Sequence, residues 1–179
     1  TCALPILRVQ SEQTMAGGAG NVARNVVALG AQAALVGLRG EDAAGAALAH
    51  LLDEIKGLDV RLVAEAGRVT TEKTRYFGGS QQLLRADREV SSKPSATAAT
   101  AMLQNIDTAA RNAGAVIVSD YAKGVVDAGV FGRALAAAKQ AGAAVLVDPK
   151  DKDLRRYAGA TVLTPNAHEL AAATGMPVD

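Results

Sequence analysis

Three short, almost entirely apolar runs constrain this chain more than any other feature: Ala115-Val116-Ile117-Val118, Ala143-Ala144-Val145-Leu146-Val147 and Ala160-Thr161-Val162-Leu163. A strand that is apolar on both sides must be covered on both faces. Runs of this kind alternating with helical segments indicate an α/β fold with a parallel sheet. Each run is followed at its carboxyl end by a polar cluster: Ser119 to Gly124, Asp148 to Lys150, and Thr164 to Glu169. In open α/β sheets ligands bind beyond the carboxyl ends of the strands, so these clusters are the first candidates for a site.

The stretch Ala16-Gly17-Gly18-Ala19-Gly20-Asn21 leads straight into Val22, Val26 and Leu29 at helical spacing, with Gly30 placed as a stop. Glycines at a helix mouth let a ligand approach the backbone, and the helix start offers unpaired N–H groups. The Asn21 carboxamide both donates and accepts, which suits a polyhydroxylated ligand. A simple helix cap is the competing explanation, although three glycines exceed what a cap needs.

Around these features the pattern predicts a strand at Leu4–Val9, a strand at Ala33–Leu38 and a helix from Ala43 to Lys56 opened by Glu41-Asp42. The segment 59–90 alternates polar and apolar residues, with runs at Val60–Val63, Lys73–Phe77 and Gln81–Asp87. It reads as a small flap standing apart from the central sheet, its last two runs forming a hairpin around Gly78-Gly79-Ser80. Lys73, Arg75 and Arg85, with the neutral Gln82 beside them, give that flap enough positive charge to meet an anion, or else a solvated face. Further helices are expected from Ser95 to about Asn112, from Val130 to Ala141 and from Asn166 to Thr174.

Composition narrows the function classes. The 179 residues suit one domain, and 19 Lys plus Arg against 18 Asp plus Glu leave no basic excess for nucleic acid. A single cysteine, Cys2, forms no internal disulfide and fits a reducing cytosol. No apolar run reaches membrane-spanning length and the start lacks a signal core, so the reading is cytoplasmic, without a membrane partner. No His/Cys/carboxylate spacing points to zinc, and His50 and His168 read as surface residues.

Two motifs carry competing explanations. Asn166-x-x-Glu169 ahead of Leu170 fits a capping box. Gly18-Ala19-Gly20-Asn21-Val22-Ala23 matches the G-x-G-x-x-A fingerprint of a nicotinamide-dependent oxidoreductase. That fingerprint requires a strand ending directly at Gly18, whereas polar Ser11-Glu12-Gln13-Thr14 intervenes here.

Gly17-Gly18-Ala19-Gly20-Asn21-Val22-Ala23-Arg24-Asn25 resembles the sugar-binding signature of the ribokinase-like (PfkB) carbohydrate kinases. Thr70–Arg75, Gln81–Asp87, Ser119–Gly124, Val147–Lys150 and Leu163-Thr164-Pro165-Asn166-x-x-Glu169 resemble, in order and spacing, one branch of that family. That branch is the D-glycero-beta-D-manno-heptose-7-phosphate kinases, often the first half of a bifunctional kinase/adenylyltransferase. Two departures are minor: Gly20 stands where the branch usually has alanine, and Arg39-Gly40-Glu41-Asp42 varies the usual glycine–aspartate turn.

The resemblance implies a ribokinase-like three-layer sandwich with a mostly parallel central sheet and a β-strand lid drawn from about 3–16 and 59–90. It implies ATP- and Mg²⁺-dependent phosphorylation of the anomeric hydroxyl of heptose 7-phosphate, toward ADP-heptose for lipopolysaccharide core. Gly17, Gly18 and Asn21 would hold sugar hydroxyls, and Lys73, Gln82 and Arg85 would face substrate from the lid. Asp120 and Lys123 would border the sugar phosphate. Lys150, Asn166, Ala167, His168 and Glu169 would meet ATP phosphates, with Glu169 acting indirectly on Mg²⁺. A homodimer through the lid is implied as well. The family's catalytic base lies in an Asp-Thr-x-Gly-Ala-Gly-Asp motif past Asp179, and its first strand precedes Thr1. Residues 1–179 are therefore expected to be a partial kinase domain, incomplete at both ends and inactive alone. Other kinases of the family, and a non-catalytic sugar-binding module, remain the alternatives.

Overall fold

In the computed structural model, which describes residues 6–177, backbone pairing follows the apolar runs. The elements are α1 (Gly18–Ala28), β1 (Ala33–Gly40), α2 (Ala43–Asp53), β2 (Leu58–Glu65), β3 (Glu72–Gly78), β4 (Gln81–Arg88) and α3 (Ala96–Ala110). After them come β5 (Ala115–Ser119), α4 (Ala128–Ala141), β6 (Ala144–Asp148), a 3-10 turn (Leu154–Tyr157), β7 (Val162–Leu163) and α5 (Ala167–Thr174).

Local chemistry sets most of the boundaries. Ser95 and Asp127 accept from Ala98 N and Val130 N, capping α3 and α4. Gly30 closes α1 as expected: its N–H reaches Val27 O at 2.9 Å and Ala31 N reaches Val26 O at 3.3 Å. That paired closure needs a left-handed residue, and Gly30 has φ +92°.

The parallel sheet comes in two pieces. β1 and β2 pair in parallel from Ala33↔Leu58 to Gly40↔Glu65. β5, β6 and β7 form the second piece, with Ser119 opposite Asp148 and Val147 opposite Leu163. β3 and β4 make the expected antiparallel hairpin, bulged between Tyr76 and Phe77. α3 packs on β1, β2 and α4, so it spans both pieces.

Several expectations need correction. Residues 6–9 form no strand and 6–16 contribute none to a lid, while residues 3–5 lie outside the described residues. The segment 59–90 is not one flap. Its first part is β2, held along its full length by β1. Alternation misled there because β2 lies at the edge of its sheet, half-buried at Val60, Leu62 and Val63. The third apolar run shrinks to a strand at Val162–Leu163, and Asn166 stands before α5 as its cap. Among the described residues no strand runs into Gly18, so the structural requirement of the dinucleotide fingerprint is not met.

Two buried clusters match the two pieces. Val118, Phe131, Ala134, Ala138, Val145, Val147 and Tyr157 fill one; Ala16, Ala23, Leu35 and Leu52 form the other. The turn from β1 into α2 is tied to the chain entering the hairpin. Asp42 Oδ1 accepts from Gly45 N at 2.8 Å and from the Thr70 hydroxyl at 2.6 Å, and Oδ2 accepts from Thr70 N at 2.9 Å. Thr70 Oγ1 in turn accepts from Gly40 N at 2.8 Å. These bonds, the Thr70 hydroxyl first, hold the Asp42 carboxyl at about 2.

Because the folded-state value lies below the unfolded value of about 3.9, Asp42 stabilises the fold above that pH, and its contribution is lost as pH falls towards about 2. Asp42→Ala should cost about 2–3 kcal/mol in urea unfolding at neutral pH. The wild-type advantage over this variant should shrink on acidification from pH 4 to pH 2, and a constant difference would exclude the linkage.

Candidate functional site

Parallel register brings the three polar clusters to one end of the sheet. Asp120 N donates to Asp148 O at 3.0 Å, and Thr164 N donates to Val147 O at 2.9 Å, so the three strand-end segments leave side by side. Beside them runs a cleft of about 2830 Å³ between the unpaired edges of β1 and β5. Gly17, Gly18, Asn21, Lys73, Arg85, Asp120 and Lys123 all line it. Gln82, Lys150 and Asn166 to Glu169 do not.

The glycine-rich turn meets the loop after β5 directly. A Cβ on Gly18, at φ +52°, would stand 3.3 Å from the Tyr121 ring. Gly17 occupies the cap position of α1 and no side chain caps the helix there. Asn21 is therefore no cap: it lies inside α1, half-buried, with Oδ1 accepting from Arg24 at 2.7 Å.

Asp120 is 2% exposed and spends both oxygens inside the fold. Oδ1 accepts from Ala122 N at 2.7 Å and Oδ2 accepts from the Tyr157 hydroxyl at 2.6 Å. Burial, and then the adjoining carboxylate, push the Tyr157 phenol upward, so it remains a donor. Its ring stands edge-on to Phe131 with centroids 5.6 Å apart and lies under Arg156. Asp120 thus shapes the loop that carries Tyr121 and Lys123. Nothing in the sequence marks Tyr157 for this task, since its short 3-10 turn has no periodicity.

On the hairpin, Lys73 faces Asp87 and Arg75 faces Arg85 across the ladder. Two like charges directly opposite are unfavourable. Arg85 is offset by Asp87 Oδ1 at 3.0 Å. Lys73 contacts Asp87 at 2.8 Å and Glu89 at 3.0 Å, and those carboxylates raise its pKa. Glu89 also accepts from Lys123 at 2.5 Å, a link that no motif announced. Gln82 is exposed near the hairpin tip. Below, Arg68 donates to Ser92 O at 3.0 Å and Lys93 O at 3.2 Å and pairs with Glu65, clamping the two legs of the hairpin together.

At the third cluster the capping box is complete: Glu169 N donates to Asn166 Oδ1 and Asn166 N donates to Glu169 Oε2, both at 2.9 Å. Lys150 takes the other Glu169 oxygen, lowering that carboxyl and raising its own ammonium. Ala167 and His168 are exposed at the helix mouth. Lys150 thus stands beside the positive end of this helix. Each Glu169 oxygen has one partner inside the fold. Among the described residues no group of three or more His, Cys, Asp or Glu is placed to hold a metal.

A family model described as pfkB family carbohydrate kinase matches residues 4–179. The bifunctional protein HldE of Caulobacter vibrioides is 50% identical over 173 residues, which is 97% of this chain and 35% of that protein. HldE of Rhodospirillum rubrum is 46% identical over 174 residues, again 97% and 35%. The chain thus spans about a third of the length of the curated relatives it matches. Among solved structures, Escherichia coli phosphofructokinase-2 in its tetrameric inhibited form superposes with a TM-score of 0.70 at 19% identity, covering 96% of this chain and 59% of that one. Arabidopsis thaliana ribokinase complexed with ribose and ATP gives 0.65 at 21%, covering 97% and 56%. At such identities the likeness is one of fold. No helix among the described residues is long and apolar enough to cross a membrane.

The Tyr157 hydroxyl is separable from its ring. Tyr157→Phe keeps the contact with Phe131 but removes one of the two donors to Asp120. The loss of a buried partner should cost about 1–3 kcal/mol in urea unfolding. An unchanged unfolding midpoint would show that the bond contributes nothing.

Proposed function

The chain belongs to the pfkB family of carbohydrate kinases, and from that membership we propose that it forms the sugar- and nucleotide-facing part of a longer heptose kinase. In this proposal ATP phosphorylates the anomeric hydroxyl of D-glycero-beta-D-manno-heptose 7-phosphate. The product, the 1,7-bisphosphate, leads to ADP-heptose for lipopolysaccharide core. The bifunctional HldE relatives support that choice of sugar kinase. The observation that carries it is the shared cleft, where the glycine-rich turn, the hairpin cations and the loop after β5 converge.

Gly17 and Gly18 admit the sugar to the backbone, and Asn21 offers its carboxamide to the hydroxyls. Lys73 and Arg85 on the hairpin, with Lys123 across from them, receive the sugar phosphate, and Gln82, nearer the tip, faces substrate only from outside the cleft. Asp120 acts by holding the Tyr121–Gly124 loop in place. Lys150 and the start of α5, from Asn166 through Ala167 and His168 to Glu169, receive the nucleotide phosphates. Bound ATP would supply the phosphoryl group and Mg²⁺ would neutralise its charge, with Glu169 as the residue that would act indirectly on the ion. The proposal places the catalytic base in the family's Asp-Thr-x-Gly-Ala-Gly-Asp motif, past Asp179, as the resemblance implies. A homodimer through the hairpin is part of the proposal, supported by Phe77, Leu83 and Leu84, each at least half exposed.

ADP release by the parent protein, with heptose 7-phosphate and with the same heptose lacking phosphate, tests the assignment. Arg85→Ala should reduce kcat/KM about tenfold for the phosphorylated sugar and hardly at all for the other. Asn21→Ala should weaken both sugars and leave the thermal transition unmoved, since it caps nothing. Equal losses for the two sugars in the arginine variant would refute the phosphate role. Sedimentation gives a separate check: Leu84→Asp should convert a parent dimer to monomer, and an unaltered sedimentation coefficient would place the contact elsewhere.

A further inference from the structure

Glu89 lies just past the end of β4, outside any regular element, yet it connects two separate parts of the cleft. Its Oε2 accepts from Lys73 of β3 at 3.0 Å, and its Oε1 accepts from Lys123 of the loop after β5 at 2.5 Å. Each oxygen therefore takes one ammonium. The two lysines differ in what else they have: Lys73 also bonds Asp87 at 2.8 Å, whereas Glu89 is the one ion-pair partner of Lys123 among the described residues.

Backbone packing holds this bridge at a set distance. Gly124 sits at φ +82°, and a Cβ there would come within 2.7 Å of the Ser92 backbone. The loop after β5 thus rests directly on the segment that carries Glu89. Arg68 bonds Ser92 O and Lys93 O from the other leg of the hairpin, so the segment is fixed from below. The Glu89 side chain is about 25% exposed and can swing into solvent without disturbing either contact.

We propose that Glu89 is a specificity-determining residue, an internal counter-ion that occupies the Lys73–Lys123 pair and keeps small free anions such as inorganic phosphate from it. A phosphate dianion presents oxygens to two ammonium groups much as this carboxylate does. To enter, it must displace a competitor tethered beside the site, whose effective concentration is high. Free phosphate has only its charge to offer in exchange. A phosphorylated sugar brings the same charge plus hydroxyl contacts at the glycine-rich turn, so it can displace Glu89 where phosphate cannot. Lys123, followed by Lys73, holds the Glu89 carboxyl below the usual carboxylate range, which keeps the counter-ion charged at neutral pH. The choice of sugar phosphate rests on the function proposed above; the competition with inorganic phosphate does not.

The test is calorimetric titration of the parent protein with inorganic phosphate in a low-chloride buffer. Glu89→Gln should bind phosphate about three- to tenfold more tightly than wild type, the value of one or two partly exposed ion pairs. Adding Lys123→Met to that variant should abolish the gain, which assigns it to this pair and not to the nucleotide site. In ADP release, Glu89→Gln should lower KM for heptose 7-phosphate while kcat changes less than about twofold, because the carboxylate competes with binding and touches no reacting atom. Phosphate affinity unchanged or weakened in Glu89→Gln, or a gain that Lys123→Met does not reverse, overturns the proposal. Tighter phosphate binding in a protein that does not turn over heptose 7-phosphate would uphold the role of Glu89 and reject the heptose assignment.

Discussion

The parallel register of β5, β6 and β7 is the constraint on which the rest of the site depends. Ser119 lies opposite Asp148 and Val147 opposite Leu163, so three chain segments leave the sheet at one end within hydrogen-bonding reach of each other. Val118, Val145 and Val147 bury one face of these strands beneath α4 and Tyr157, while Ile117 on the other face of β5 is 48% exposed. Had β5 slipped by one residue against β6, Val118 would turn away from that cluster and Asp120 would lose its place beside Tyr157. Core packing and site geometry are thus one arrangement.

Around that rigid end the site is assembled from charges in water. Lys73, Arg85, Asp87, Glu89 and Lys123 form a partly exposed network across the hairpin and the loop after β5. Individually such pairs add little to stability. Together they set where the positive groups point. The hairpin suits this use: β4 is exposed along all eight residues, while the Glu65–Arg68 clamp secures its base. The rigid and the adaptable parts meet at Asp120 to Gly124, a loop braced by Tyr157 from inside and by Ser92 from outside.

Sequence and structure agree best where an element's own residues decide its form. The first two apolar runs, the Gly30 closure, the hairpin around Gly78-Gly79 and the Asn166–Glu169 box appear as read, while the third run keeps only Val162–Leu163 as strand. Agreement fails where a neighbour decides. β2 alternates like a flap strand but is drawn into a sheet by β1, and residues 6–9, apolar enough for a strand, have no partner strand among the described residues.

The chain by itself determined its fold class, most of its helix caps and the end of the sheet at which its polar clusters gather. Apolar periodicity, capping side chains and glycines act within a few residues and leave a local record. Tertiary structure alone decided that Asp120 faces inward to Tyr157, 37 positions along the chain, and that Glu89 joins Lys73 to Lys123, 34 positions away. Exposed charges take their partners by proximity in space. Nothing in the spacing of such residues along the chain encodes that proximity.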